Sequence, residues 1–250
     1  MSSDQNLLTR GVPMRRHAYA RGFTLLEMML VVAIIGVLAA MTAAASTRIA
    51  ARNATQSAAA EVSAMLQFAR SRAEMQGSDV YVMVFPTMKK DGTTTGGSGA
   101  LFVYEDMNGD FMSGSGACNG TGTADCSWTN FSPPNNINSP STSKDKLLKS
   151  LYLDDYAKKN VEFGTGTATS AVLKAPFDGI TFTDLQDGCS FCNTKGALVF
   201  TGEEQLRFFA DNGTQASSRT AALALQAVDR PSNVFVFGMV AATGLVTLVK

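Results

Sequence analysis

Three groups of side chains in this 250-residue chain have types and spacings that suit chemistry. Glu27 is the only charged residue from Phe23 to Thr47, and it stands near the front of that run. A carboxylate near a bilayer costs a few kcal/mol at the centre and needs a named partner, so its chemistry is pairing with a cation. The four cysteines fall in two close pairs, Cys118/Cys126 and Cys189/Cys192. Four thiolates suit Zn²⁺, and two close pairs suit two local disulfides. Asp106-Met-Asn-Gly-Asp110 puts the oxygens of Asp106, Asn108 and Asp110 at alternate positions, as in the opening of a calcium loop. The later bidentate acid such a loop needs would fall eleven residues after Asp106, where the chain has Ala117, so a plain turn with solvated acids is the stronger expectation. No catalytic set is visible. His17, the only histidine, precedes the apolar run, and no Ser-His-Asp set, phosphate loop or paired-carboxylate motif stands out. Neither an enzyme nor a cofactor is expected.

The element that positions Glu27 is an apolar helix. Met28 to Thr47 holds 20 residues without a charge, and a helix of that length spans roughly 30 Å of hydrocarbon. Before it stand Arg10, Arg15, Arg16, Arg21 and His17 against the single acid Asp4, the bias expected of a cytoplasmic flank. From Phe23 onward 17 Lys and Arg face 20 Asp and Glu, a net charge of −3. That balance argues against bulk electrostatic attraction to nucleic acid. A cleavable secretory signal fits less well than an anchor: Ala39 to Ser46 imitates a small-residue cleavage site, but nothing there breaks the helical pattern. With the remainder outside the cytoplasm, two local disulfides are expected over zinc. A thioredoxin-like role for Cys189-Ser-Phe-Cys192 is not expected, because no βαβ pattern surrounds it.

Gly22-Phe23-Thr24-Leu25-Leu26-Glu27 ahead of the apolar helix resembles the class III leader of type IV prepilins and type II secretion pseudopilins. The resemblance implies that a membrane prepilin peptidase cuts after Gly22 and that Phe23 is then N-methylated. It implies that Glu27 is an assembly residue, paired with the α-amine of Phe23 in its own or an adjacent subunit. Residues 1–22 would be a cytoplasmic leader, longer than is usual in type IVa pilins. Major pilins often carry a proline at the position that falls on Ala44 here, and its absence points to a minor pilin.

Past the membrane segment, expected over 23–47, the helical pattern continues over 48–76. Ile49, Ala59, Val62, Met65, Leu66, Ala69 and Ala73 recur at three- and four-residue steps, with Gly77 as C-cap. One helix of about 54 residues, roughly 80 Å long, is the expectation. Leu66-Gln67-Phe68-Ala69-Arg70-Ser71, then Ala73 and a strand from Val80, resembles the GspH/FimT family of minor pilins and pseudopilins; Leu66 and Phe68 read as ordinary core. Residues 77–250 are expected to form a β-rich head, with strands at 80–85, 101–105, 161–163, 171–174, 180–183, 197–201, 205–209, 221–228, 234–240 and 244–249. A Gly-, Ser- and Asn-rich insertion is expected over 106–149. The fold class is α+β, a long helix on an antiparallel, sandwich-like head.

The resemblance therefore implies a minor pilin of a type IV pilus, in the initiating or tip complex, with a GspH-like minor pseudopilin as the alternative. Its partners would be other minor and major pilins or pseudopilins, the prepilin peptidase and the inner membrane. It would be a single-pass inner-membrane protein with a periplasmic head, reaching the cell surface after assembly. Some relatives bind DNA through a C-terminal motif beginning Gly-Arg. Here the nearest stretch is Gly244-Leu245-Val246-Thr247, with Leu245 where arginine is needed, so nucleic acid is not an expected partner.

Overall fold

The structure, a computed structural model, describes residues 23–114, 116, 118, 125–133, 137, 145–156, 160–166, 173–182, 188–203 and 205–249, with backbone alone for 43–48, 50 and 51. Two compact units divide between Ala45 and Ser46. The helix α1, Leu25–Gln76, contributes to both. It runs through Met, Leu, Ala, Arg and Glu without a proline, and it stops at Gly77, whose φ of +66° is open to glycine at little steric cost. The Gly77 N–H still donates to the Ala73 carbonyl at 2.9 Å.

Among the described residues nine strands follow. β1 (Asp79–Phe85), β2 (Ala100–Asp106), β3 (Lys146–Tyr152), β5 (Gly196–Phe200) and β6 (Leu206–Phe209) form a sheet ordered β3-β2-β1-β5-β6. β4 (Val161–Phe163), β7 (Thr220–Ala227), β8 (Arg230–Val240) and β9 (Leu245–Leu248) form a second, ordered β4-β7-β8-β9. Every pairing is antiparallel. The molecule has the α+β, pilin-like layout of a long apolar helix and antiparallel sheets.

Side chains alternate across a strand, and here both faces of the central strands are buried. Val80, Val82 and Val84 of β1 join Leu101 and Val103 of β2, Leu223 and Leu225 of β7 and Phe237 of β8 in an inner core. The α1 stripe of Ala58, Ala59, Val62, Met65, Leu66, Ala69 and Ala73 belongs to the same core. Ile49, expected on that stripe, is instead 61% exposed. Leu66 is fully buried, whereas Phe68 is only partly so and lies under the Lys149 ammonium, 4.2 Å from the ring centroid. Tyr81, Met83 and Phe85 point the other way and meet Phe102, Tyr104, Phe111, Trp128 and Phe131. The third core sits on the far face of the second sheet, where Leu173, Phe177 and Ile180 cover Ala222, Ala224 and Val236. Gly238 leaves room for that cover, since a Cβ there would come within 2.6 Å of the Phe177 ring.

The structure corrects two expectations. The insertion expected over 106–149 ends sooner, because Lys146–Tyr152 form β3. Lys-Leu-Leu-Lys-Ser-Leu-Tyr has no clean alternation, as befits an edge strand exposed along much of its length. The insertion's residues Phe111, Cys118, Cys126, Trp128 and Phe131 are each no more than 2% exposed and build the outer core. The strands expected at 171–174 and 180–183 are absent among their described residues, Leu173, Lys174 and Ile180 to Phe182, which serve as the irregular cover of the second sheet.

Two polar ties link α1 to the strands. Glu105, 1% exposed, accepts from Arg72 through both oxygens, Nε–Oε1 at 2.8 Å and Nη2–Oε2 at 3.1 Å. A bidentate fork of this kind suits guanidinium and keeps the buried acid paired. Two residues earlier on α1, Arg70 Nη1 donates to the Gly244 carbonyl, just before β9, at 3.4 Å.

Candidate functional site

The junction at the start of α1 brings together the residues singled out by spacing. Phe23 and Thr24 lie outside the helix, and Phe23 is 75% exposed. Thr24 is the N-cap: its Oγ1 accepts from the Glu27 N–H at 3.2 Å and its carbonyl accepts from the Met28 N–H at 3.2 Å. Glu27 is thus the third residue of the helix, in the first turn, where the helix dipole favours a negative charge. Thr24-Leu25-Leu26-Glu27 has the spacing of a capping box. From Leu25 to Thr42 the helix is long and apolar enough to cross a membrane, and none of it is buried within the protein. Thr42, the one hydroxyl in the last turn of this span, is satisfied internally by the Leu38 and Ala39 carbonyls, as a low-dielectric surround requires. Residues 18–43 match the prokaryotic N-terminal methylation motif. This motif marks structural subunits, and with the apolar helix it supports a type IV pilin-like class III leader. The same two features fit membrane anchoring. No curated protein and no solved structure matches the chain. Of the motif's residues, Gly22 lies outside the described part, while Phe23, Thr24 and Glu27 meet within one turn.

In the head, the cysteines are bonded as Cys118–Cys126 and Cys189–Cys192, with S–S distances of 2.00 and 1.96 Å. The four sulfurs are therefore not a zinc site. Cys118–Cys126 closes part of the insertion inside the outer core, and Cys189–Cys192 lies in the inner core between the two sheets' strands.

The acidic turn differs from the expected ligand set. Asp106, 1% exposed, accepts backbone N–H groups from Asn108 (3.3 Å) and Gly109 (2.7 Å) on Oδ1 and from Phe111 (3.1 Å) on Oδ2. The Asn108 side chain accepts from the Asp110 N–H at 3.2 Å and donates to Asp125 at 2.6 Å. The third carboxylate of the cluster is Asp145, which approaches Asp106 and Asp110 so that one oxygen of each lies within 4.8 Å of the others. Asp145 lies 35 residues after Asp110, beyond the reach of a local motif. Ala117, the position of the missing bidentate acid, lies outside the described residues. The backbone donors to Asp106 make this a turn that closes on its own hydrogen bonds.

Burial pushes the Asp145 carboxyl up to about 6, helped by the charges of Asp106, Asp125 and Asp110 and opposed by the Met107 N–H that it accepts at 2.6 Å. A raised folded-state pKa means that the native state binds more protons between about pH 4 and 6. The stability this group permits is therefore fully present below pH 4 and is lost as pH rises through 6. Asp145→Asn keeps an acceptor for Met107 and removes the charge. It is expected to stabilise the head by on the order of 1 kcal/mol at pH 7.5, with the gain vanishing toward pH 4.5, as read from thermal midpoints at the two pH values. An equal gain at both would overturn the assignment.

Sequence reasoning passed over the Trp128 cluster. The Trp128 indole Nε1 donates to the Asp211 carbonyl at 3.0 Å, while Lys195 lays its ammonium 4.2 Å from the ring centroid and donates to the Trp128 carbonyl at 2.8 Å. Burial lowers the Lys195 amine to about 8, with Asp211 opposing. The available signal was compositional: the only tryptophan of the chain, with Phe111 and Phe131, in a stretch otherwise rich in Gly, Ser and Asn.

Proposed function

We propose that the chain is a minor pilin, a structural subunit in the initiating or tip complex of a type IV pilus. Residues 1–22 are removed by a prepilin peptidase, Phe23 is N-methylated, and residues 23–47 anchor the chain in the inner membrane before entering the filament core. Residues 48–76 then carry the head, 77–250, in the periplasm. One observation carries this reading: the methylation-motif match over 18–43 ends on a capped helix with Glu27 in its first turn and a fully bare apolar surface. Two disulfides, which persist in oxidising compartments, support a head outside the cytoplasm. The second reading is a GspH-like minor pseudopilin of type II secretion. The two-sheet head on an amphipathic helix suits it equally.

Mass spectrometry of the protein purified from membranes tests the processing. An N-terminus at methylated Phe23 is expected. An intact Met1, or a cut near Ala45, would overturn the pilin reading in both its forms.

A further inference from the structure

We propose that the free edge of β9 is a docking surface for the β9 edge of a second copy of the chain, the two strands pairing antiparallel about Thr247. The two sheets of the head end in four edge strands, β3, β6, β4 and β9. An uncovered edge shows a row of unpaired N–H and C=O groups and invites another strand, so folded proteins cover or charge their edges. Three of the four edges are guarded. β4 turns the Phe163 N–H outward, where it donates to the Ser98 carbonyl at 3.1 Å. β6 turns the Phe208 carbonyl outward, where it accepts from the Ala216 N–H at 2.8 Å. β3 carries Lys146 and Lys149.

Among the described residues β9 has no such guard. Leu-Val-Thr-Leu is uncharged, and Leu245 and Leu248 are 48% and 53% exposed. The Val249 N–H donates to the Val236 carbonyl at 2.7 Å and continues the β8–β9 register. Backbone groups alternate along an antiparallel strand, so Leu245, Thr247 and Val249 face β8, while Val246 and Leu248 face outward. The outward carbonyl before them, that of Gly244, is already taken by Arg70. The free row is therefore Val246 and Leu248.

This row is self-complementary. Setting Val246 against the partner's Leu248, and Leu248 against the partner's Val246, engages every free group of both rows in four hydrogen bonds. The same register sets Thr247 against the partner's Thr247 and Leu245 against the partner's Val249, so apolar meets apolar, threonine meets threonine and no charges are opposed. Val246 and Leu248 lie opposite Met239 and Phe237 of β8, both in the inner core, so the added strand continues that apolar layer where Leu248 is bare. Each copy offers the same patch, and the contact closes at two copies.

So short an interface is weak in solution, and the test traps it. The central Thr247 pair is not hydrogen-bonded, with Cα atoms about 4.5 Å apart, which a disulfide can bridge. Leu245 lies about 14 Å from the partner's Leu245, beyond such reach. The full chain carrying Thr247→Cys or Leu245→Cys is oxidised with copper–phenanthroline in detergent micelles, and linked dimer is read on non-reducing gels. The native cysteines, already bonded and buried, do not compete. Thr247→Cys is expected to give about tenfold more dimer than Leu245→Cys, because pairing raises the effective concentration of one thiol at the other. Adding Leu248→Pro deletes an outward N–H and spares the β8 ladder. It removes two of the four bonds, one per copy, and is expected to cut the dimer about tenfold at an unchanged thermal midpoint. Leu248→Lys, which keeps the N–H and sets a charge on the apolar pairing, is expected to cut it likewise and decides the matter if the proline variant unfolds. No dimer from Thr247→Cys, equal dimer from Leu245→Cys, or dimer that survives Leu248→Lys would overturn the inference. The processing of the chain is untouched by any of these results.

Discussion

Trp128→Ala is expected to lower the stability of the head by about 3–5 kcal/mol, a drop of roughly 8–15 °C in thermal midpoint. Three losses coincide. The indole is 1% exposed and lies against Phe111, with ring centroids 6.3 Å apart, so its removal leaves a cavity in a layer with few ways to collapse. Its Nε1 bond to the Asp211 carbonyl ties the insertion to the loop after β6, and that carbonyl would lose its partner. Lys195, partly desolvated over the ring, would lose the aromatic face that stabilises its charge. Trp128→Phe restores most of the volume without the N–H and is expected to cost about half as much. Denaturant unfolding of the head, followed by far-UV circular dichroism, reads both. A shift below about 1 kcal/mol for Trp128→Ala would show that the insertion is dispensable to the fold.

Glu27→Ala is expected to leave cleavage after Gly22 intact and to remove the chain from filaments. The substitution takes a carboxylate out of an apolar run, so membrane insertion becomes easier and the anchored precursor should accumulate normally. What would disappear is the anion available to the Phe23 amine that the proposed cleavage creates. In a low-dielectric core that amine would then be buried without a counter-charge, a defect worth about 2–5 kcal/mol, and hence more than tenfold in incorporation. Glu27→Gln, nearly the same shape without the charge, is expected to behave like alanine. The measurement is the ratio of chain in sheared filaments to chain in membranes. Normal incorporation of either variant would remove the pairing from the account.

The front of the chain was legible because its physics is local. A basic flank, a glycine, one acid and an uncharged run lie consecutively, and lipid imposes a length on the run that composition alone reveals. The α1 stripe was legible for the same reason, except at Ile49, where periodicity continued past the point at which there was a head to meet. β1 and β2 were found, although they read as nearly continuous apolar runs because both of their faces are covered. β3 was missed because an edge strand need not alternate, and Lys146 and Lys149 along it look like loop. Asp145 and the Trp128 anchor escaped because their partners, Asp106 and Asp110 in one case and Lys195 and Asp211 in the other, are set by sheet topology rather than by spacing. The Gly- and Ser-rich composition of the insertion drew attention away from its buried aromatic residues, Phe111, Trp128 and Phe131.

The shared inner core has a consequence in time. The α1 stripe ends at Ala73, but the strands that cover it run on to Met239, so synthesis must add 166 residues before the stripe's last partner exists. At roughly 5–20 residues per second, that is about 8–33 s during which the stripe has no finished surface to meet. The outer layer waits less, since its most distal fully buried member is Val199. The buried side chains of the outer layer on the first sheet are therefore all synthesised before the inner core that meets the helix is complete.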